Sequence, residues 1–120
     1  MIELSKITEI EEALKKVWSI KSSSLYTPAN PAKSQCGVTS LVVNDLLGGE
    51  ILKTKVGSQW HFYNKIGGSR VDLTASQFKE DIHYNDVPST REEAFDDTNE
   101  LQYVYLSTAV LENLVDNRLK

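Results

Sequence analysis

Residues 58–74 read SQWHFYNKIGGSRVDLT. Two runs rich in aromatic and β-branched residues flank Gly67-Gly68, and a glycine pair between such runs marks a hairpin, because the primed two-residue turns need positive φ. The stretch is therefore expected to form strands over Ser58–Ile66 and Ser69–Thr74. A two-residue turn pairs Ile66 with Ser69, and pairing then continues through Asn64–Val71, Tyr63–Asp72 and His61–Thr74. Side chains alternate along a strand. Trp60, Phe62, Ile66, Val71 and Leu73 collect on one face, with Asn64 and Ser69 among them. His61, Tyr63, Lys65, Arg70, Asp72 and Thr74 collect on the other. His61 and Asp72 become diagonal cross-strand neighbours, about 7–8 Å apart at the backbone and within reach of long side chains. A four-residue turn gives the same pairing, and a three-residue turn separates the two onto opposite faces.

Working outward, Glu50–Val56 is a further strand candidate. Before it, Cys36–Leu47 reads as a helix that is apolar almost all round through Val38, Leu41, Val42, Val43, Leu46 and Leu47. Such a helix belongs in the middle of a core, and Gly48-Gly49 supplies the stop. Residues 21–35, with Ser22, Ser23, Ser24, Pro28, Asn30 and Pro31, form a loop, long enough to suggest a functional one. At the N-terminus Ile7, Ile10, Leu14 and Val17 recur at helical spacing, with Ser5 or Thr8 as the N-cap.

Downstream, Thr74 and Gln77 have capping-box spacing for a short helix, residues 79–90 with Pro88 look irregular, and Arg91–Phe95 is good for a turn or two of helix. A long final helix starts at Thr98 or Asn99, with Leu101, Val104, Thr108, Leu111, Val115 and Leu119 on its expected buried face. The sum is an α+β fold: a small antiparallel sheet of three or four strands, a buried cysteine-bearing helix, and flanking helices at both ends.

The 120 residues fit a single domain, 1–120. Hydrophobic residues at 40% and charged ones at 25% exclude a disordered chain. No apolar run approaches the ~20 residues of a membrane span, and residues 1–6 carry no signal-peptide stretch, so a cytoplasmic location is expected. The net charge is −4. Residues 1–78 carry nine basic and seven acidic groups, and residues 79–120 carry four and ten. No basic stripe exists to neutralise phosphates, which argues against a nucleic-acid partner. The acidic run Glu92, Glu93, Asp96, Asp97 and Glu100 reads as a solvated surface.

One cysteine excludes an internal disulfide and suits a reducing compartment. Cys36 opens the buried helix, where the dipole and free amides favour thiolate and can receive an oxyanion. A carboxylate on one imidazole nitrogen fixes the tautomer and frees the other nitrogen as a base. Cys36, His61 and Asp72 thus supply nucleophile, base and orienting acid. The Cys36 amide, with Gln35 as a side-chain donor, is placed to stabilise an oxyanion, and Tyr63 and Asn64 are candidate substrate contacts. Cys36, His61, Asp72 and His83 offer metal-ligand chemistry, yet no paired short spacing supports a metal site. No cofactor is required.

Gln35-Cys36 at the start of a helix, followed by His61 to Asn64 and by Val71-Asp72-Leu73-Thr74, resembles the papain-like and transglutaminase-like cysteine enzymes. In those, a cysteine begins a buried helix, a histidine lies on a following strand and an aspartate on the next. Gln35 adjoins Cys36, whereas the oxyanion glutamine of papain-like enzymes stands several residues earlier. The same motifs, with Asn30-Pro31, Leu47-Gly48-Gly49, Gln77-Phe78 and Thr90-Arg91-Glu92, also resemble the bacterial YunG-like proteins across residues 25–95. The first resemblance implies a papain/transglutaminase-like core and acyl transfer through a thioester by an amidase, deamidase or peptidase. It implies a peptide, protein or small amide as substrate. The alternative is a non-catalytic binding or regulatory protein on the same fold.

Overall fold

The computed structural model describes residues 4–118, with side chains from Lys6 to Asn117. Helices α1 (Leu4–Val17) and α2 (Cys36–Leu47) precede strands β1 (Glu50–Val56), β2 (Gln59–Ile66) and β3 (Ser69–Val71). After a 3₁₀ turn at Ala75–Gln77 come β4 (Val87–Pro88), α3 (Arg91–Asp96) and α4 (Glu100–Arg118). The sheet is antiparallel with order β3-β2-β1-β4.

The hairpin register is the one its two-glycine turn dictates: Ile66 opposite Ser69, Lys65 opposite Arg70, Asn64 opposite Val71. Gly67 and Gly68 both have positive φ, 57° and 84°, as a primed turn requires. β3 ends at Val71 rather than at Thr74. Asp72 leaves the ladder because its own Oδ1 accepts the Thr74 amide at 3.2 Å, a local turn that competes with strand pairing. On that side β2 from Gln59 to Tyr63 has no β3 partner, and the start of α2 abuts it near Phe62.

α2 is the central element. Residues 36–43 are all buried, and Gly48, at φ 72°, ends it with its amide on the Asn44 carbonyl. One side of α2 packs on the sheet face made by Ile51, Phe62 and Asn64, whose Nδ2 donates to the Ser40 carbonyl at 3.0 Å. The other side meets α1 and α4 through Val38, Val42, Val43, Ile10, Leu14, Leu106 and Val110. Trp18 closes this layer, its Nε1 donating to Thr39 Oγ1 at 3.1 Å. The opposite sheet face is covered by residues 78–86. Thr54 bonds Asn85 and the His83 carbonyl, and the Tyr63 hydroxyl bonds Asp86 at 2.8 Å. Hence His61, Phe62, Tyr63 and Asn64 are all buried, so β2 has no solvent face there.

Three details depart from expectation. Ser5 and Thr8 lie inside α1 instead of capping it, and the Ser5 side chain lies outside the described residues. The segment 79–90 contains β4, which accommodates Pro88 because it is an edge strand. The buried face of α4 is also the other one. Leu106 and Val110 are buried and Leu114 is half-buried, while Leu101, Val104, Leu111 and Val115 are exposed; Leu119 lies outside the described residues. This helix is apolar on two sides, so hydropathy alone did not determine which side docks. The docked side carries tyrosines with anchors: the Tyr105 hydroxyl donates to the Val17 carbonyl at 2.7 Å, and Tyr103 bonds Asp45.

Candidate active site

Each supporting element fixes one group. The end of β3 places Asp72, and β2 places His61 three positions beyond Asn64, its last residue paired with β3. His61 Nε2 and Asp72 Oδ2 are 2.6 Å apart, with both side chains at most 5% exposed. Asp72 has no spare acceptor capacity left unpaired. Oδ2 also accepts from the Tyr84 hydroxyl at 2.7 Å, and Oδ1 accepts from the Thr74 amide and hydroxyl. The His61 ring is held edge-on by Phe78 at 4.9 Å and stacks on Tyr63 at 5.9 Å. Its second nitrogen, Nδ1, is buried and has no hydrogen-bond partner. A buried ring nitrogen with no partner costs stability unless something uses it.

Cys36 and His61 line one cavity of 340 Å³, together with Ser34, Gln59, Trp60, Gln77, Phe78 and Asp97. A second cavity of 490 Å³ adjoins it and shares Ser58, Gln59, Trp60 and Asp97. Trp60 is 41% exposed at the shared mouth, with Lys53 Nζ 4.3 Å and Lys55 Nζ 5.3 Å from its ring. The 21–35 loop forms part of this wall. Ser34 sits at φ 56°, a left-handed conformation that a non-glycine residue rarely adopts. Its amide donates to Gln77 Oε1 at 3.1 Å, and Asn30 Nδ2 donates to the Gln77 carbonyl at 3.0 Å.

Cys36 differs from the expected thiolate. It is 7% exposed, and its pKa is pushed up to about 12, first by burial and then by the Asp97 carboxylate; the Phe62 backbone amide works the other way. Asp97 Oδ2 lies 3.5 Å from the sulfur and accepts the Gly37 amide at 3.1 Å. The dipole of α2 is thus answered by a carboxylate of the protein itself, and the thiol stays protonated. The Asp97 carboxyl is itself raised, chiefly by burial against the packed end of α2.

Of the residues read from the sequence, the cavity brings Cys36 and His61 together, with Asp72 behind the ring. Gln35, Tyr63 and Asn64 stand elsewhere. Gln35 is fully buried, its Nε2 donates to the Pro31 carbonyl at 3.3 Å, and its Oε1 has no partner. The Tyr63 phenol, raised to about 12 by burial and by Asp86, anchors the 78–86 segment. Asn64 ties β2 to α2. Asp97 and Tyr84 carried no signal in the sequence: one sits in an acidic run, the other in an irregular stretch. Among the described residues, no group of three or more His, Cys, Asp or Glu side chains is arranged to hold a metal ion.

The YunG family model matches residues 6–115. This chain belongs to the YunG family. It is 51% identical over 100 residues to the uncharacterized protein YunG of Bacillus subtilis (strain 168), covering 83% of this chain and 87% of that one. No solved structure matches it. No helix among the described residues is long and apolar enough to cross a membrane.

Proposed function

We propose that this YunG-family protein is a cysteine-dependent acyl-transfer enzyme, an amidase, deamidase or peptidase working through a thioester. One observation carries the reading: a thiol and an imidazole share a cavity, and the imidazole has one nitrogen fixed by a buried carboxylate and the other unpaired. The order of parts, thiol at a helix start, then histidine and aspartate on successive antiparallel segments, supports kinship with the papain/transglutaminase-like core.

The step follows from these groups. The Cys36 proton passes to His61 Nδ1 as sulfur attacks the acyl carbon, and the carbonyl electron pair moves onto oxygen near the start of α2. Collapse expels the leaving amine, which takes the proton from His61. Water or a second amine then attacks the thioester, returning the proton to sulfur. Asp72 holds the ring throughout. A peptide, protein or small amide substrate fits two adjoining cavities better than a nucleic acid fits this acidic chain. The reducing cytoplasm is where a lone thiol stays available.

The test is acylation by an activated ester such as nitrophenyl acetate, with the adduct located by mass spectrometry. We expect the acetyl group on Cys36 and a loss of about 10²-fold or more in acylation rate for His61→Ala. An unchanged rate in that variant sinks the proposal. A second reading, a binding protein on the same fold, is favoured by the raised thiol pKa. Retention of the cellular role by a folded Cys36→Ser variant decides for it.

A further inference from the structure

Asp97 takes no part in that transfer, although its carboxylate lies 3.5 Å from the sulfur. It belongs to no catalytic role already assigned, and its position is built rather than incidental. Asp97 follows α3, and its amide caps that helix on the Ala94 carbonyl at 3.1 Å. α3 is fixed in turn, since Arg91 Nη1 donates to the Leu41 carbonyl and to Asn44, and Lys53 pairs with Glu93 at 2.8 Å. The approach depends on a missing side chain. A Cβ on Gly37 would lie 2.5 Å from Asp97 Oδ2, 2.7 Å from Asp97 Cβ and 2.9 Å from the Ala94 carbonyl oxygen. Any other residue at position 37 would force α3 and Asp97 away from the thiol.

We propose that the Asp97 carboxylate occupies the place where the oxygen of an acyl substrate is received, so that the resting site blocks itself. The proposal rests on the acyl-transfer reading. Attack by Cys36 develops negative charge on an oxygen beside the sulfur, and the Gly37 N–H at the start of α2 is the donor positioned for it. That donor is already bonded to Asp97 Oδ2. Two anionic oxygens cannot share it, so substrate oxygen and carboxylate exclude each other. The same carboxylate accepts the thiol proton and opposes its departure. The unpartnered His61 Nδ1, on a ring that lines the same cavity, is the base that stays idle while Asp97 is in place. Release needs only a side-chain rotation, because Asp97 is exposed on its outer side and lies between the two cavities. The ligand that displaces it is an uncharged acyl group, an amide, ester or thioester.

Two reactions at Cys36 separate blocking from simple tuning of the thiol. Alkylation by iodoacetamide develops no oxyanion, whereas acylation by nitrophenyl acetate does. The charged and titratable groups around the sulfur are Asp97, Asp72 and His61. Near pH 8, Asp97→Ala is expected to raise alkylation about tenfold, the effect of one unit of thiol pKa. It is expected to raise acylation by a further factor of about ten, because the freed N–H now serves the acyl oxygen. Asp97→Asn keeps the donor engaged without the charge, so alkylation should rise and the acylation-to-alkylation ratio should hold. The proposal is overturned if folded Asp97→Ala leaves that ratio at its wild-type value. His61→Ala in the Asp97→Ala background tests the functional reading separately: if acylation there ignores His61 while the ratio has risen, the blocked site stands and the catalytic histidine falls.

Discussion

Two carboxylates flank the candidate site, and they do opposite things. Asp72 lies at the end of a hairpin, is almost fully buried, and accepts four hydrogen bonds. Asp97 lies after a short helix, is exposed on its outer side, and leans its Oδ2 on a thiol and one amide. The first builds an imidazole's orientation into the fold. The second suppresses the ionisation of the sulfur. The contrast teaches that a charge is structural when its partners surround it and conditional when one side stays open to water.

The largest break in this contrast is expected from Asp72→Ala. It strips the acceptor from the buried His61 and the half-buried Tyr84 and should cost about 2–4 kcal/mol in urea unfolding. A cost under about 1 kcal/mol would mean that Asp72 holds nothing together.

Next comes alkaline pH. The Cys36 pKa is raised in the folded protein, so its stabilising contribution is complete below 9.0 and is lost as pH climbs through about 12. Wild type should lose stability relative to Cys36→Ala at up to about 1.4 kcal/mol per pH unit in that window. The Tyr63, Tyr84 and Tyr103 phenols shift upward in both proteins and cancel in the difference. Parallel curves for the two proteins would place the thiol in contact with water.

Tyr84→Phe removes one of the four donors and should cost about 1 kcal/mol without altering the hairpin. The smallest effect is expected from Asp97→Ala, within about 0.5 kcal/mol of wild type in unfolding, although it changes thiol chemistry most. Equal destabilisation by the two aspartate variants would erase the distinction.

The two carboxylates also differ in how far sequence reveals them. Asp72 was legible because a two-glycine turn fixes the register, and register fixes which side chains share a face. Helix α2 was legible from its continuous apolar composition and its glycine stop, so Cys36 at its first turn followed directly. Asp97 meets Cys36 across 61 residues of chain. No periodicity links them, and an acid among acids reads as surface. The buried face of α4 was read the wrong way round for a related reason. Leu101, Val104, Leu111 and Val115 form as regular a stripe as Leu106, Val110 and Leu114, and only packing against α1 and α2 chooses between them. Gln35 shows the limit of adjacency, since neighbours along a chain point apart at a helix start.

The two tryptophans have separate surroundings, and this gives the protein an optical reporter. Trp18 is sealed in the core with its indole nitrogen on Thr39, while Trp60 stands at the cavity mouth under two lysine ammonium groups. Their emission should divide into a blue component that iodide does not quench and a red one that it does. Replacing Trp18 with Phe would leave a single fluorophore beside the site, so that occupancy could be followed by light alone, without knowing the occupant beforehand.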